Sequence, residues 1–253
     1  MAVAALPAAS TAASVARRAA AVPILTYHVI APPPSGAPFP GLYMPAAEFA
    51  AEMRGLARAG YQAVTLDRVR RAWFGRASLP ARPIVLSFDN GYRTQYTRAL
   101  PILRRLGWVG VENIQLSGLP PAQGGLTGRE VRALLAAGWE LDTQGWSHAD
   151  LTTLDAEQLH YQVGVARRIL RHAYHVPVDW FCYPSGRYNP TVVAAVKAAG
   201  YVGATTVSPG WARPADDLYR LPRLRVLGGT GPRSLLALID QSEKAAPPPD
   251  AYP

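Results

Sequence analysis

The stretch Leu134-Leu135-Ala136-Ala137-Gly138-Trp139-Glu140-Leu141-Asp142-Thr143-Gln144 reads as the end of a helix, a glycine, an aromatic residue and then a strand that finishes in polar side chains. Glycine after a helix takes the left-handed conformation without a Cβ penalty, and the apolar residue behind it folds back on the last turn. The same mark recurs at Gly60-Tyr61, Gly107-Trp108 and Gly200-Tyr201. Around these turns, hydrophobic periodicity predicts strands over 24–27, 62–66, 84–88, 110–116, 140–144, 180–183, 202–206 and 224–227. It predicts helices over 46–59, 94–106, 128–137, 156–173, 190–199 and 233–241. Strands alternating with helices need crossover connections, and so a parallel sheet. The fold class is therefore α/β, about seven to eight units in a TIM-like (β/α) barrel, with an open doubly wound sheet as the other arrangement of the same elements.

A chain of 253 residues with 49% hydrophobic and 17% charged residues has the composition of a globular protein. No apolar run approaches the ~20 residues of a membrane-spanning helix. Cys182 is the one cysteine, so no internal disulfide and no multi-cysteine zinc site can form. The net charge of +9 is almost all arginine, scattered in pairs such as Arg104-Arg105 and Arg167-Arg168 that suit solvated helix faces. A nucleic-acid partner would want a basic stripe with interleaved aromatics; the excess charge instead favours an anionic polymer such as a cell-wall glycan. There is no Gly-x-Gly-x-x-Gly, no phosphate-binding Gly-x-x-x-x-Gly-Lys run and no Gly-x-Ser-x-Gly elbow, which removes the main signatures of nucleotide cofactors and of one serine hydrolase class.

Residues 1–22 are Ala-rich with small-residue stretches like the end of an export signal but lack a basic start; a signal remnant and a disordered tail are the two readings. Residues 244–253 are too proline-rich for a helix or a central strand and read as a loose tail. The barrel is expected over 23–243.

Three polar clusters fall at the C-terminal ends of expected strands, the end at which parallel barrels build their sites: Ser87-Phe88-Asp89-Asn90-Gly91-Tyr92, Asp142-Thr143-Gln144-Gly145-Trp146-Ser147-His148-Ala149-Asp150-Leu151 and Phe181-Cys182-Tyr183-Pro184-Ser185-Gly186-Arg187-Tyr188-Asn189. Singly, each reads equally as a turn. Their convergence at one end of one sheet favours chemistry, since a carboxylate closing an apolar strand is costly to bury unless it is paired or used.

These residues carry a resemblance. From about Val22 to Leu238 the chain resembles the polysaccharide deacetylase family, the NodB-homology domain: Pro23–His28 against its opening Pro-x-Leu-x-Tyr-His, Ser87–Gly91 against Thr-Phe-Asp-Asp-Gly, Gln144–His148 against His-[Ser/Thr]-x-x-His, and Phe181–Gly186 against Phe-x-Tyr-Pro-x-Gly. The resemblance implies a distorted (β/α) barrel and hydrolysis of an N-acetyl amide on an amino-sugar polymer outside the cytoplasm, secreted or in the cell envelope. It implies Asp89 as general base and the backbone N–H of Ser185 as an oxyanion donor. The implied positions for a divalent metal, zinc or cobalt, are Asn90, Gln144 and His148.

Two of those positions depart from the pattern, with amides where the family carries Asp and His. Neutral amide oxygens are weak donors to zinc beside imidazole and carboxylate, so the metal site is expected to be impaired or absent. Asp142, two residues before Gln144 and on the same strand face, and His28, at the end of the first strand, are candidate accessory groups. Tyr92, Trp146, Tyr183, Pro184 and Tyr188 are candidate sugar-stacking or rim residues. The alternative function is a pseudoenzyme of the same fold that binds glycan or acts as a scaffold.

Overall fold

The computed structural model describes residues 21–119 and 124–252. The expected export remnant lies outside them, apart from its last two residues. Among the described residues no helix is long and apolar enough to cross a membrane.

The strands are β1 (Val22–Tyr27), β2 (Tyr61–Ala63), β3 (Arg82–Asn90), β4 (Val111–Ile114), β5 (Glu140–Thr143), β6 (Trp180–Cys182), β7 (Gly203–Thr205), β8 (Trp211–Ala212) and β9 (Leu224–Arg225). They pair in the order β7-β6-β5-β4-β3-β1-β8, with β2 on β3 and β9 on β1. Every pairing is parallel except β1 with β8. The segment entering β9 closes the curved sheet. Leu221 exchanges backbone hydrogen bonds with Ala204 and Thr206 beside β7, and a few residues later Val226 N–H donates to Thr26 of β1. The result is a distorted (β/α) barrel, as expected.

The helices are α1 (Ala46–Arg58), α2 (Leu66–Trp73), α3 (Leu100–Arg104), α4 (Gly128–Ala136), α5 (Ala156–Leu159), α6 (Ala166–Tyr174), α7 (Pro190–Ala198) and α8 (Gly231–Ser242). On α1, Phe49, Met53 and Leu56 recur at helical spacing and are buried. Phe49 joins an aromatic cluster in which it packs edge-on to Tyr27 at 5.1 Å, and Phe88 stacks on Trp139 at 4.9 Å. Helix α4 starts in a reciprocal cap between Thr127 and Glu130.

Three expectations change. The strand expected over 62–66 is shorter, because the Thr65 hydroxyl accepts from Arg68 N–H and starts α2, a charged helix with Leu66, Val69 and Ala72 facing inward. The helices expected over 94–106 and 156–173 are interrupted by π-helical turns, Gln95–Ala99 ahead of α3 and His160–Val165 between α5 and α6; Pro101, with no N–H to donate, follows the first turn closely. The C-terminal segment is docked rather than loose: Tyr252 and Tyr188 exchange backbone hydrogen bonds at 2.9 and 3.0 Å. The Tyr188 hydroxyl donates to the Pro249 carbonyl, and Arg220 pairs with Asp250.

Candidate active site

At the C-terminal end of the barrel strands lies a cavity of about 540 Å³ lined by residues that include Asp89, Asn90, Gln144, His148, Ser185 and His28. Asp89, near the end of β3, is 2% exposed and forms the floor. Arg223, 1% exposed, reaches it from the segment entering β9 in a two-on-two ion pair, Nη1 to Oδ1 at 2.8 Å and Nη2 to Oδ2 at 2.9 Å. The remaining guanidinium donors go to the Thr206 carbonyl, the Ser87 hydroxyl and the Cys182 sulfur. Asn113, beside Asp89 in the β3–β4 register, donates from Nδ2 to Asp89 Oδ1 at 2.8 Å. Burial pushes the Asp89 pKa up, but the Arg223 charge and hydrogen bonds, with help from Asn113, outweigh it and hold the carboxyl down at about 2.

The backbone carbonyl of Asp89 is also held. Gln95, in the first π-helical turn, donates from Nε2 to the carbonyls of Asp89 at 2.8 Å and His28 at 3.0 Å, tying the ends of β3 and β1 together. The second π-helical turn repeats the device. Gln162 Oε1 accepts from Trp146 and Ser147 N–H, and its Nε2 donates to the Ser147 hydroxyl, fixing the loop that presents His148. A π turn widens a helix by one residue and so re-aims a side chain, which suits both glutamines.

Asn90 (φ 77°), His148 (φ 57°) and Ser185 (φ 52°) are three of the four non-glycine residues in the left-handed region among those described. All three line the cavity; backbone held in such regions concentrates where a site demands it. Next to Ser185, Gly186 has φ 75°, and a Cβ there would stand 2.2 Å from a Val207 methyl.

The expected metal positions do not fit a metal. Gln144 Oε1, the one oxygen its side chain offers, accepts from Asn90 N–H at 3.0 Å. Asn90 adds only a neutral amide, and among the described residues no group of three His, Cys, Asp or Glu could hold a metal ion. His148 is the remaining strong donor type; burial lowers its pKa against the pull of Asp89, favouring the neutral ring. The His28 pKa is lowered to about 4, chiefly by burial, and its buried Nδ1 has no hydrogen-bond partner among the described residues.

Tyr92 and Tyr183 line the cavity, although the Tyr183 hydroxyl is spent on the Tyr219 carbonyl. Four other candidates fall elsewhere. Tyr188 is fully buried, stacked on Tyr183 at 4.8 Å, and Trp146 packs on Tyr161 at 4.6 Å. Pro184 is buried under the turn, and none of the three is part of the lining. Asp142 accepts from Trp180 N–H inside the barrel and is not part of the lining; burial together with the Glu140 charge raises its pKa. Cys182 is held protonated by burial, its pKa pushed up to about 12.

Arg223, Asn113, Gln95 and Gln162 escaped the sequence reading. Each acts singly from an element without a local motif. A signal existed only for Arg223, as a charged residue inside the apolar run Leu221-Pro222-Arg223-Leu224.

In sequence and fold the chain is similar to polysaccharide deacetylases. The family model for polysaccharide deacetylases matches residues 76–204. A Bacillus subtilis (strain 168) protein whose name assigns it to the polysaccharide deacetylases, YxkH, is 26% identical over 221 residues, covering 87% of this chain and 77% of its own. The poly-beta-1,6-N-acetyl-D-glucosamine N-deacetylase of Escherichia coli (strain K12) is 44% identical over 52 residues, 21% of this chain and 8% of that protein. In structure, the Streptococcus pyogenes deacetylase PplD in complex with acetate superposes with a TM-score of 0.79 at 23% identity, over 90% of this chain and 100% of that one.

Proposed function

The chain belongs to the polysaccharide deacetylase family, and on that premise we propose that it hydrolyses the N-acyl amide of an amino-sugar polymer, with Asp89 as the base and without a tightly held transition metal. The observation that carries the reading is a single ionised carboxylate, fixed in direction by Arg223 and Asn113, on the floor of a cavity at the working end of the barrel. In this reading the acyl carbonyl lies under Ser185, whose backbone N–H stabilises the developing oxyanion. Water adds to the carbonyl carbon as its proton passes to Asp89. The C–N bond then breaks as that proton passes from Asp89 to the leaving nitrogen, and acetic acid and the free amine result. Held at about 2, the Asp89 carboxyl is ionised at neutral pH and so in the form that accepts the proton. The substrate class supports a place outside the cytoplasm, in the cell envelope.

The test is acetate release from a β-1,6-linked N-acetylglucosamine oligomer in the presence of a chelator. Asp89→Asn is expected to lower the rate by about 10²–10⁴-fold while leaving oligomer binding in place. Release that survives this change would remove Asp89 from its role. A wild-type protein that binds the oligomer and releases no acetate would be a glycan-binding scaffold.

A further inference from the structure

Residues 223, 225 and 227 alternate onto one face along and beyond β9, from the barrel floor to the mouth of the cavity. At the floor, Arg223 is fully spent on Asp89 and its neighbours. One layer up, Arg225 is exposed, lines the same cavity and has no ion pair or side-chain hydrogen bond among the described residues. The lining therefore sets one carboxylate, already neutralised, against two guanidiniums. No other lining residue carries negative charge: His28 and His148 are imidazoles and Asn90 and Gln144 are amides. Because Gln144 Oε1 is turned to Asn90 N–H, the end of Gln144 left free is its NH₂ group. The polar surface thus offers donors and one uncompensated positive charge, which repels a divalent cation and attracts an anion.

The mouth adds an apolar wall. Phe39 is 68% exposed and Leu227 43% exposed, and both line the cavity with Leu42. The loops that carry them are locked together: Gly228 N–H donates to Gly41 O at 2.9 Å, and a Cβ on Gly228 would stand 2.0 Å from the Tyr43 carbonyl. An apolar platform is thereby fixed beside a free guanidinium, a combination that suits a pyranose ring with an acidic substituent.

We infer that the cavity selects an N-acylated sugar carrying a carboxylate, with Arg225 as the residue that recognises the anion. The inference rests on the proposed action on N-acyl amino sugars and names the class within it. The test compares N-acetylmuramic acid, which carries a lactyl carboxylate, with N-acetylglucosamine, which lacks it, by amide chemical-shift titration at low salt. The wild type is expected to bind the acidic sugar about tenfold more tightly, a preference that added salt weakens. Arg225→Gln is expected to abolish the preference while N-acetylglucosamine binding stays, and Arg225→Lys to retain part of it. Equal affinities in the wild type, or a preference that survives in Arg225→Gln, would overturn the inference and leave the proposed function standing. Failure of both sugars to bind would overturn both.

Discussion

Asn90 and Gln144, from two strand ends 54 residues apart, are joined by one hydrogen bond, the Asn90 N–H donating to Gln144 Oε1 at 3.0 Å. Both residues occupy positions where the family pattern calls for metal donors, and the bond consumes the oxygen that Gln144 would offer. The bond ties the backbone at the end of β3 to the loop after β5 and brings no charge there.

Zinc content follows directly. The purified, dialysed protein is expected to hold no stoichiometric zinc by elemental analysis, because one imidazole and two neutral amides are a poor donor set. The double variant Asn90→Asp, Gln144→His restores a carboxylate and two imidazoles and should take up one equivalent. Its midpoint of thermal unfolding should then rise with zinc, as binding to the native state alone requires, while that of the wild type stays still. Stoichiometric zinc in the wild type would overturn this account of the site.

The Asp89–Arg223 pair is buried on both sides, and a buried charge left without its partner is expensive. Arg223→Leu is expected to cost about 3–5 kcal/mol in urea unfolding. Adding Asp89→Leu should recover part of that loss, because the stranded carboxylate is then gone. If the double variant were as unstable as the two single changes summed, the damage would come from packing and not from unpaired charge.

The barrel was legible because its signal repeats: four glycine–aromatic turns and eight apolar runs point to the same parallel sheet. Asp89, Asn90, Gln144, His148 and Ser185 were legible because each sits in a contiguous motif at a strand end. What escaped acts over long sequence distances. Arg223 meets Asp89 from 134 residues away, and in a chain with arginines throughout, a charge near a strand looks like surface. Pairing Asp142 with Gln144 failed for a different reason. Strand periodicity gives the shared face but not the depth, and Asp142 lies low enough to cap the Trp180 N–H inside the barrel.

Gln95 offers a test of the π-helical turn. Its one amide group satisfies two carbonyls, those of His28 and Asp89, so Gln95→Leu strands both and is expected to cost about 2–3 kcal/mol in urea unfolding. Gln95→Glu is the sharper probe. At neutral pH a carboxylate there has nothing to donate and faces two carbonyl oxygens, so it should be less stable than the leucine variant. As pH falls and that carboxyl takes up a proton it regains one donor, and the deficit against leucine should shrink. A pH-independent deficit would mean that the turn depends on the shape of the side chain rather than on its hydrogen bonds.

His28 sets an acid limit that can be isolated by difference. Burial lowers its folded pKa to about 4, below the ordinary value near 6.5, so the folded protein holds the ring neutral while the unfolded chain accepts a proton. Its contribution is fully present above about pH 6.5 and is lost as pH falls toward 4. Because the ring is only partly covered at the cavity wall, the loss should reach about 1–3 kcal/mol rather than the full value of the shift. Glu52 and Glu140 act in the opposite sense: burial raises both to about 7, so they favour the folded state as pH drops from 7 toward 4.5. The raw stability curve therefore mixes the two signs, and the informative quantity is wild type minus His28→Gln, measured by urea unfolding at pH 7, 6, 5 and 4.5. That difference should be largest at pH 7 and fall steadily below pH 6.5, the His148 charge adding to the fall through its repulsion of a protonated His28. A flat difference would show that His28 titrates in the folded protein as it does in the unfolded chain, open to water, and that it is not the neutral wall of the cavity.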